Sequence, residues 1–184
     1  MKTRKILVLF FVMLIVAALS PGSAIHAQAV SAAGGGGAGV PAAGESKPYD
    51  PLADAGADIA AALKRAKAEN KHVLLQAGGN WCGWCMEFNR FVHATGQIDS
   101  LIEKCFVVYH LNYSKENTNN AIFARYGYPQ RFGFPVFVIL DAEGARIHTQ
   151  NSEYLEQGRS YNKQRVYEFL IQWTPQALNP ALYK

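Results

Sequence analysis

The sequence predicts an α/β fold with a mixed central sheet flanked by helices on both faces. Segments with apolar residues at helical spacing alternate with short β-rich apolar runs. The last two such runs are joined by a short loop containing Gly144, the mark of an antiparallel hairpin. Helices interleaved with strands, closed by a hairpin, require strands of mixed direction and helices on the sheet faces.

The chain opens with Lys2, Arg4 and Lys5, continues through an uncharged apolar run from Ile6 to Leu19, and breaks at Pro21-Gly22-Ser23 before Ala27-Gln28-Ala29. This is the three-part layout of a secretory signal peptide, expected over residues 1–29. The apolar run falls short of the roughly 20 residues that span a bilayer. An uncleaved N-terminal anchor is the rival reading. A cleaved signal predicts a periplasmic or secreted protein that meets the membrane only through that transient segment. Export also means an oxidising compartment.

Residues 30–47 are rich in Ala and Gly, including Gly34 to Gly37, and are expected to form a flexible linker. Residues 48–184 remain as one domain, long enough for a single core. The formal net charge is +4, but Lys2, Arg4 and Lys5 supply three of those charges, which leaves about +1 for the mature chain. Phosphate binding needs a clustered basic face. None is visible, so nucleic acid is not an expected partner.

Each element follows from its own pattern. Ile59, Ala62, Leu63 and Ala66 lie at helical spacing between Asp58 and Asn70. His72 to Ala77 is an apolar run that reads as a buried strand. A helix leads from Met86 to Val92, with Phe88, Phe91 and Val92 on its core face, and Gly96 marks a break before a second piece from Ile98 to Lys104. Cys105 to Asn112 reads as a central strand, with Cys105 a buried thiol within it. Asn117 to Asn120 is a polar loop, and Ala121 to Tyr126 a short helix. Pro135 to Leu140 and Ala145 to Thr149 are the two strands of the hairpin. Asn151 to Ser160 reads as a polar connection. Val166, Phe169, Leu170 and Trp173 define a closing helix that Pro175 stops.

The chemistry concentrates at Trp81-Cys82-Gly83-Trp84-Cys85, between the first strand and the following helix. Two cysteines at this spacing can close a small disulfide ring or open to a dithiol. Cys82 is placed at or near a helix N-terminus, where unpaired N–H groups and the helix dipole favour an anion. Its thiol is therefore expected to have a lowered pKa and to be the attacking sulfur. Cys85, about one turn further in, is expected to be less exposed and to resolve the mixed disulfide. In a βαβ setting the pair reads as a redox motif. The bland alternatives are an inert disulfide or half a zinc site, but no second Cys or His pair has ligand spacing. The scattered His72, His93, His110 and His148 are expected to be structural or surface residues.

Two separated features resemble the thioredoxin superfamily: Trp-Cys-Gly-Trp-Cys after a strand, and Gly133-Phe134-Pro135 opening a later strand, with Asp141 and Gly144 in the hairpin beyond. The resemblance covers most of the chain from about Tyr49 to Trp173 and is nearest to exported bacterial thioredoxin-like proteins. It implies a thioredoxin fold, a cis-proline at Pro135 facing the disulfide, and a backbone at Phe134 that receives a substrate strand. It also implies an apolar rim from Trp81 and Trp84. Three departures stand out. The buried acid that thioredoxin keeps six residues before its first Cys is Gln76 here, which cannot take a proton from Cys85. Glu87 is a candidate substitute. The dipeptide between the cysteines is Gly-Trp, and Met86 stands where thioredoxin has a Lys.

The expected activity is thiol-disulfide exchange by Cys82 and Cys85, with no bound cofactor. Disulfide-containing or thiol proteins are the expected partners, with a separate electron donor or acceptor, and the protein is expected to act as a monomer. The alternatives are a Cu(I)-binding module, since soft thiolates suit that ion, and a partner-binding module with little turnover.

Overall fold

The computed structural model describes residues 47–184. The expected signal peptide and nearly all of the expected linker lie outside the described residues. Helix α1 (Ala55–Glu69) starts where the Asp54 side chain accepts from the N–H groups of Gly56 and Ala57, both at 3.0 Å. Such a cap is worth about 1 kcal/mol. Asn70 ends the helix in the left-handed conformation, φ 53°. Strand β1 (His72–Gly78) follows, then α2 (Gly83–Ala94) and α3 (Gly96–Cys105). Next come β2 (Phe106–Asn112), the short α4 (Asn120–Arg125) and a 3₁₀ turn over Pro129–Phe132. The hairpin of β3 (Val136–Leu140) and β4 (Arg146–Asn151) leads through a 3₁₀ turn, Ser152–Leu155, to a two-residue ribbon of β5 (Glu156–Gln157) and β6 (Ser160–Tyr161). Helix α5 (Lys163–Gln172) and a last 3₁₀ turn, Pro180–Tyr183, close the chain.

The main sheet runs β2-β1-β3-β4, with β2 parallel to β1 and the other pairs antiparallel. The predicted α/β class and mixed sheet are what form. Side-chain alternation gives each face its own core. Leu74, Phe137 and Ile139 pack with Phe88, Val92, Ile98, Ile102 and Leu170 from α2, α3 and α5. Val73, Leu75, Val138 and Leu140 point the other way, against Ile59 and Ala66 of α1. The sheet is therefore covered on both sides, and both central strands are buried at every position.

Three local expectations are corrected. Strand β2 is an edge strand, not a central one, because β3 takes the other side of β1. Its middle is correspondingly open, with Val108 exposed and Tyr109 and His110 half-buried. Cys105 is the last residue of α3, half-buried and unpaired, rather than a buried strand thiol. Burial nevertheless raises its pKa. The stretch from Asn151 to Ser160 is no plain connection: Leu155 and Tyr161 anchor its turn and ribbon in the α2 core.

Candidate functional site

Strand β1 delivers the chain to the mouth of the sheet at Gly78, and Asn80 and Trp81 carry it to the first turn of α2. Two glycines make the passage possible by close approach rather than by unusual dihedrals. A Cβ on Gly78 would lie 2.4 Å from Cys85 Sγ and 3.1 Å from the Tyr49 hydroxyl. One on Gly79 would lie 2.4 Å from Trp81 Nε1 and 2.9 Å from the Tyr113 carbonyl oxygen.

Cys82 and Cys85 form a disulfide, with Cα atoms 5.2 Å apart. Cys82 is the N-cap of α2, and its Sγ accepts the Cys85 N–H at 3.1 Å. A sulfur that already receives an orphan N–H of a helix start is placed where negative charge is favoured. Cys82 keeps 6% exposure while Cys85 keeps none. The outer sulfur thus belongs to the residue at the helix end, the inner one to the residue a turn deeper.

The Phe134–Pro135 peptide bond is cis, and Pro135 is buried. Strand pairing of β3 starts only at Val136, opposite Ala77 and Asn151. The backbone of Gly133 and Phe134 therefore lies beyond the ladder. The Phe134 ring packs against the cluster of Tyr49, Cys82 and Cys85 and sits edge-on to Trp81 at 5.7 Å. Tyr113, from the loop after β2, lies 5.0 Å from the same ring.

The two tryptophans do different things. Trp81 is 60% exposed and donates its indole N–H to the Tyr113 carbonyl at 2.7 Å. With residues Tyr113 to Glu116 and Thr118 it lines an open hollow of about 570 Å³ beside the disulfide. Trp84 is half-buried, edge-on to Tyr161 at 5.5 Å, and its carbonyl accepts the Tyr161 hydroxyl at 3.0 Å. Trp84 thus braces the helix start against the β5–β6 ribbon, and the exposed rim is chiefly Trp81.

Beneath the disulfide the site has no carboxylate. Gln76 is buried, and its Nε2 donates to the Tyr49 hydroxyl at 2.9 Å and to the Cys85 carbonyl at 3.4 Å. Glu87 is committed elsewhere: both its oxygens accept from Arg90, at 2.6 and 2.9 Å, and it also accepts the Ser160 hydroxyl. The Arg90 pairing holds its carboxyl below the usual range. It is therefore a poor base for Cys85.

Tyr49 and Asn80 were not foreseen as part of the site. Tyr49 is almost wholly buried against the cysteines. Asn80 brackets its peptide in both directions, accepting from the Tyr49 N–H at 3.2 Å and donating to the Tyr49 carbonyl at 2.7 Å. Burial raises the Tyr49 pKa, so the phenol stays protonated. The His110 ring stands edge-on to Tyr49 at 5.2 Å. Burial, with a smaller contribution from His93, lowers the His110 pKa to about 4, so its imidazole is neutral near pH 7. His110, Gln76, His93 and Asp99 line a cavity of about 180 Å³ between β2 and the α2–α3 pair. No group of three or more His, Cys, Asp or Glu among the described residues could hold a metal ion. No helix among them is long and apolar enough to cross a membrane.

A family model described as thioredoxin-like matches residues 54–142. A disulphide isomerase from Xylella fastidiosa Temecula1 is similar in structure, with a TM-score of 0.62 and 28% identity, over 69% of this chain and 96% of its own. A thioredoxin from Thermus thermophilus is more distant, with a TM-score of 0.44 and 23% identity, over 61% of this chain and 81% of its own. The C-terminal domain of Neisseria meningitidis DsbD in its oxidised form gives 0.43 and 21%, over 64% of this chain and 94% of its own. No curated protein matches the sequence.

Proposed function

Since the chain belongs to the thioredoxin superfamily, we propose that it is an exported thiol-disulfide oxidoreductase that reduces or exchanges protein disulfides through Cys82 and Cys85. The observation that carries this is the asymmetry of the pair: Cys82 Sγ at the helix end with an N–H on it, Cys85 fully enclosed behind it. A thiolate is the nucleophile in thiol-disulfide exchange, and of the two only Cys82 keeps any exposure.

In the reducing direction, the Cys82 thiolate attacks one sulfur of a substrate disulfide. The Cys82–substrate bond forms, the substrate S–S bond breaks, and the other substrate sulfur leaves as a thiolate. Cys85 then loses its proton and attacks Cys82 Sγ. The internal disulfide reforms, and the second substrate sulfur leaves. Two electrons pass from the dithiol to the substrate, so a separate donor must restore the pair. The reverse sequence installs disulfides. The Phe134 backbone beside cis-Pro135, outside the strand ladder, is suited to hold an extended substrate segment, with Trp81 as the apolar contact. The similar disulphide isomerase of Xylella fastidiosa supports this activity class, and the N-terminal layout of charge, apolar run and small residues supports export.

The test is exchange with a disulfide-bonded protein substrate. Cys82→Ser is expected to abolish turnover, and Cys85→Ser to accumulate mixed disulfides on a non-reducing gel. Full activity in Cys82→Ser would overturn the assignment. The reduction potential then decides direction: a value near about −270 mV marks a reductant and one near about −120 mV an oxidant. Export is tested by cell fractionation with N-terminal sequencing of the mature protein. Intact Met1 on a cytosolic chain would overturn it.

A further inference from the structure

We propose that the phenolic hydroxyl of Tyr49 is the hydrogen-bond donor that stabilises the Cys85 sulfur as a thiolate when the disulfide opens, and that Gln76 and Asn80 hold it in that position. This deepens the oxidoreductase reading and rests on it.

Cys85 carries a problem that the fold alone does not solve. Its sulfur is fully enclosed, and burial disfavours the thiolate it must become to attack Cys82. Gln76 is neutral, and Glu87 is tied to Arg90 and Ser160. The pocket around the two sulfurs is completed by Tyr49, with Trp84 and Phe134 packed against it. Among these side chains, Tyr49 brings the O–H. Its oxygen and Cys85 Sγ border the same space beside Gly78, 3.1 and 2.4 Å from where a Cβ on that residue would stand.

The direction of that O–H follows from its neighbours. Gln76 Nε2 donates to the Tyr49 oxygen. The amide cannot usefully be turned over, because the same nitrogen faces the Cys85 carbonyl oxygen, which an amide oxygen would repel. The hydroxyl therefore accepts from Gln76 and keeps its own proton to give. Its ring is fixed at the other end by the two-way bond of Asn80 to the Tyr49 peptide. A donor left with a proton to give, in a buried pocket that also holds a sulfur that turns anionic, is a preorganised stabiliser of that anion.

The titratable groups around this pocket are Tyr49 itself, His110 from β2 against its ring, Tyr161 from β6, and Glu87 from α2. Tyr161 spends its hydroxyl on the Trp84 carbonyl. The Tyr49 proton stays on oxygen throughout. When Cys85 resolves a mixed disulfide, its thiol proton goes to solvent, its thiolate forms the bond to Cys82 Sγ, and the substrate sulfur leaves with the electron pair. Tyr49 is a positioning donor and undergoes no net chemistry.

The test isolates one thiol. In a Cys82→Ser, Cys105→Ala background, the Cys85 pKa is read from thiolate absorbance across pH, with and without Tyr49→Phe. Loss of a hydrogen bond to a charged group is expected to raise that pKa by about one unit or more, a tenfold or larger loss of thiolate at fixed pH. Phenylalanine keeps the packing, so a merely structural role would leave the pKa where it was, and that result would overturn the proposal. Replacing Tyr49 by 3-fluorotyrosine, a stronger donor of nearly the same shape, is expected to lower the Cys85 pKa. It decides the matter if Tyr49→Phe does not fold, and an unchanged or higher pKa would count against the role. Turnover that persists in Cys82→Ser would defeat the oxidoreductase reading. An unmoved Cys85 pKa with turnover lost in Cys82→Ser would defeat only this one.

Discussion

The indole N–H of Trp81 donates to the carbonyl oxygen of Tyr113 at 2.7 Å, joining two residues 32 positions apart. The bond ties the turn before α2 to the loop after β2 and fixes one wall of the hollow beside the disulfide. Trp81→Phe keeps an aromatic face but loses the tie. A net loss of about 1 kcal/mol predicts local opening of the Tyr113 loop that is about fivefold more frequent. Hydrogen exchange of the amides from Tyr113 to Thr118 would show it, and unchanged protection would mean the bond is idle.

Gly78, before the motif, and Gly83, between its cysteines, should respond oppositely to alanine. At Gly78 the added methyl meets Cys85 Sγ at 2.4 Å, so Gly78→Ala should cost about 1–3 kcal/mol by overpacking. At Gly83, the first residue of α2, nothing lies within 4 Å. Gly83→Ala should be neutral or stabilising by up to about 1 kcal/mol. Thermal melts of the oxidised proteins compare them directly, and equal melting temperatures would refute the contrast.

Acid should weaken the fold partly through His110. Its folded pKa of about 4 lies below the ordinary 6.5 because burial disfavours the cation. The unfolded chain therefore binds more protons between those values, and stability falls as pH drops through that window. The size of the effect is on the order of 2 kcal/mol. His110→Phe retains a ring beside Tyr49 and should lose less melting temperature between pH 7 and 4.5 than the parent. Parallel curves would show that His110 is not the group responsible.

Phe88 should be among the costliest core truncations. It is buried on α2, with its ring 4.5 Å from Phe137 and 5.0 Å from Tyr161. Phe88→Ala is expected to cost about 3–5 kcal/mol, measured by denaturant unfolding. Because α2 also carries both cysteines, that loss should be accompanied by faster reduction of the disulfide.

The sequence was legible where chemistry or periodicity is local. Cys82 and Cys85 announce themselves by spacing, and the strand before them by an unbroken apolar run. Pro135 stood out through Gly133-Phe134 before it, and its bond is cis. Gln76 could be recognised as a missing acid because it lies in line with the motif. Tyr49 could not: it precedes the first helix, belongs to no period, and meets the site only through residues distant in sequence, Gln76 27 positions on and Asn80 31 positions on among them. The edge position of β2 was hidden for a related reason. Phe106, Val107 and Leu111 are as buried as residues of an inner strand, and only the pairing of β1 with β3 reveals which strand is outermost. Strands β5 and β6, two residues each, are too short to leave any alternation to read.

The two-way bond between Asn80 and the Tyr49 peptide has a practical consequence for anyone trimming the chain. A version that begins at Asp54 would retain all five helices and six strands named above, and circular dichroism would report it intact. Its disulfide, however, would have lost the wall behind it. Small reductants such as dithiothreitol, which have no need of the Phe134 backbone or the Trp81 face, would reach the inner sulfur from the rear. Such a truncation would look like a more active enzyme in a small-molecule assay while discriminating less among protein substrates.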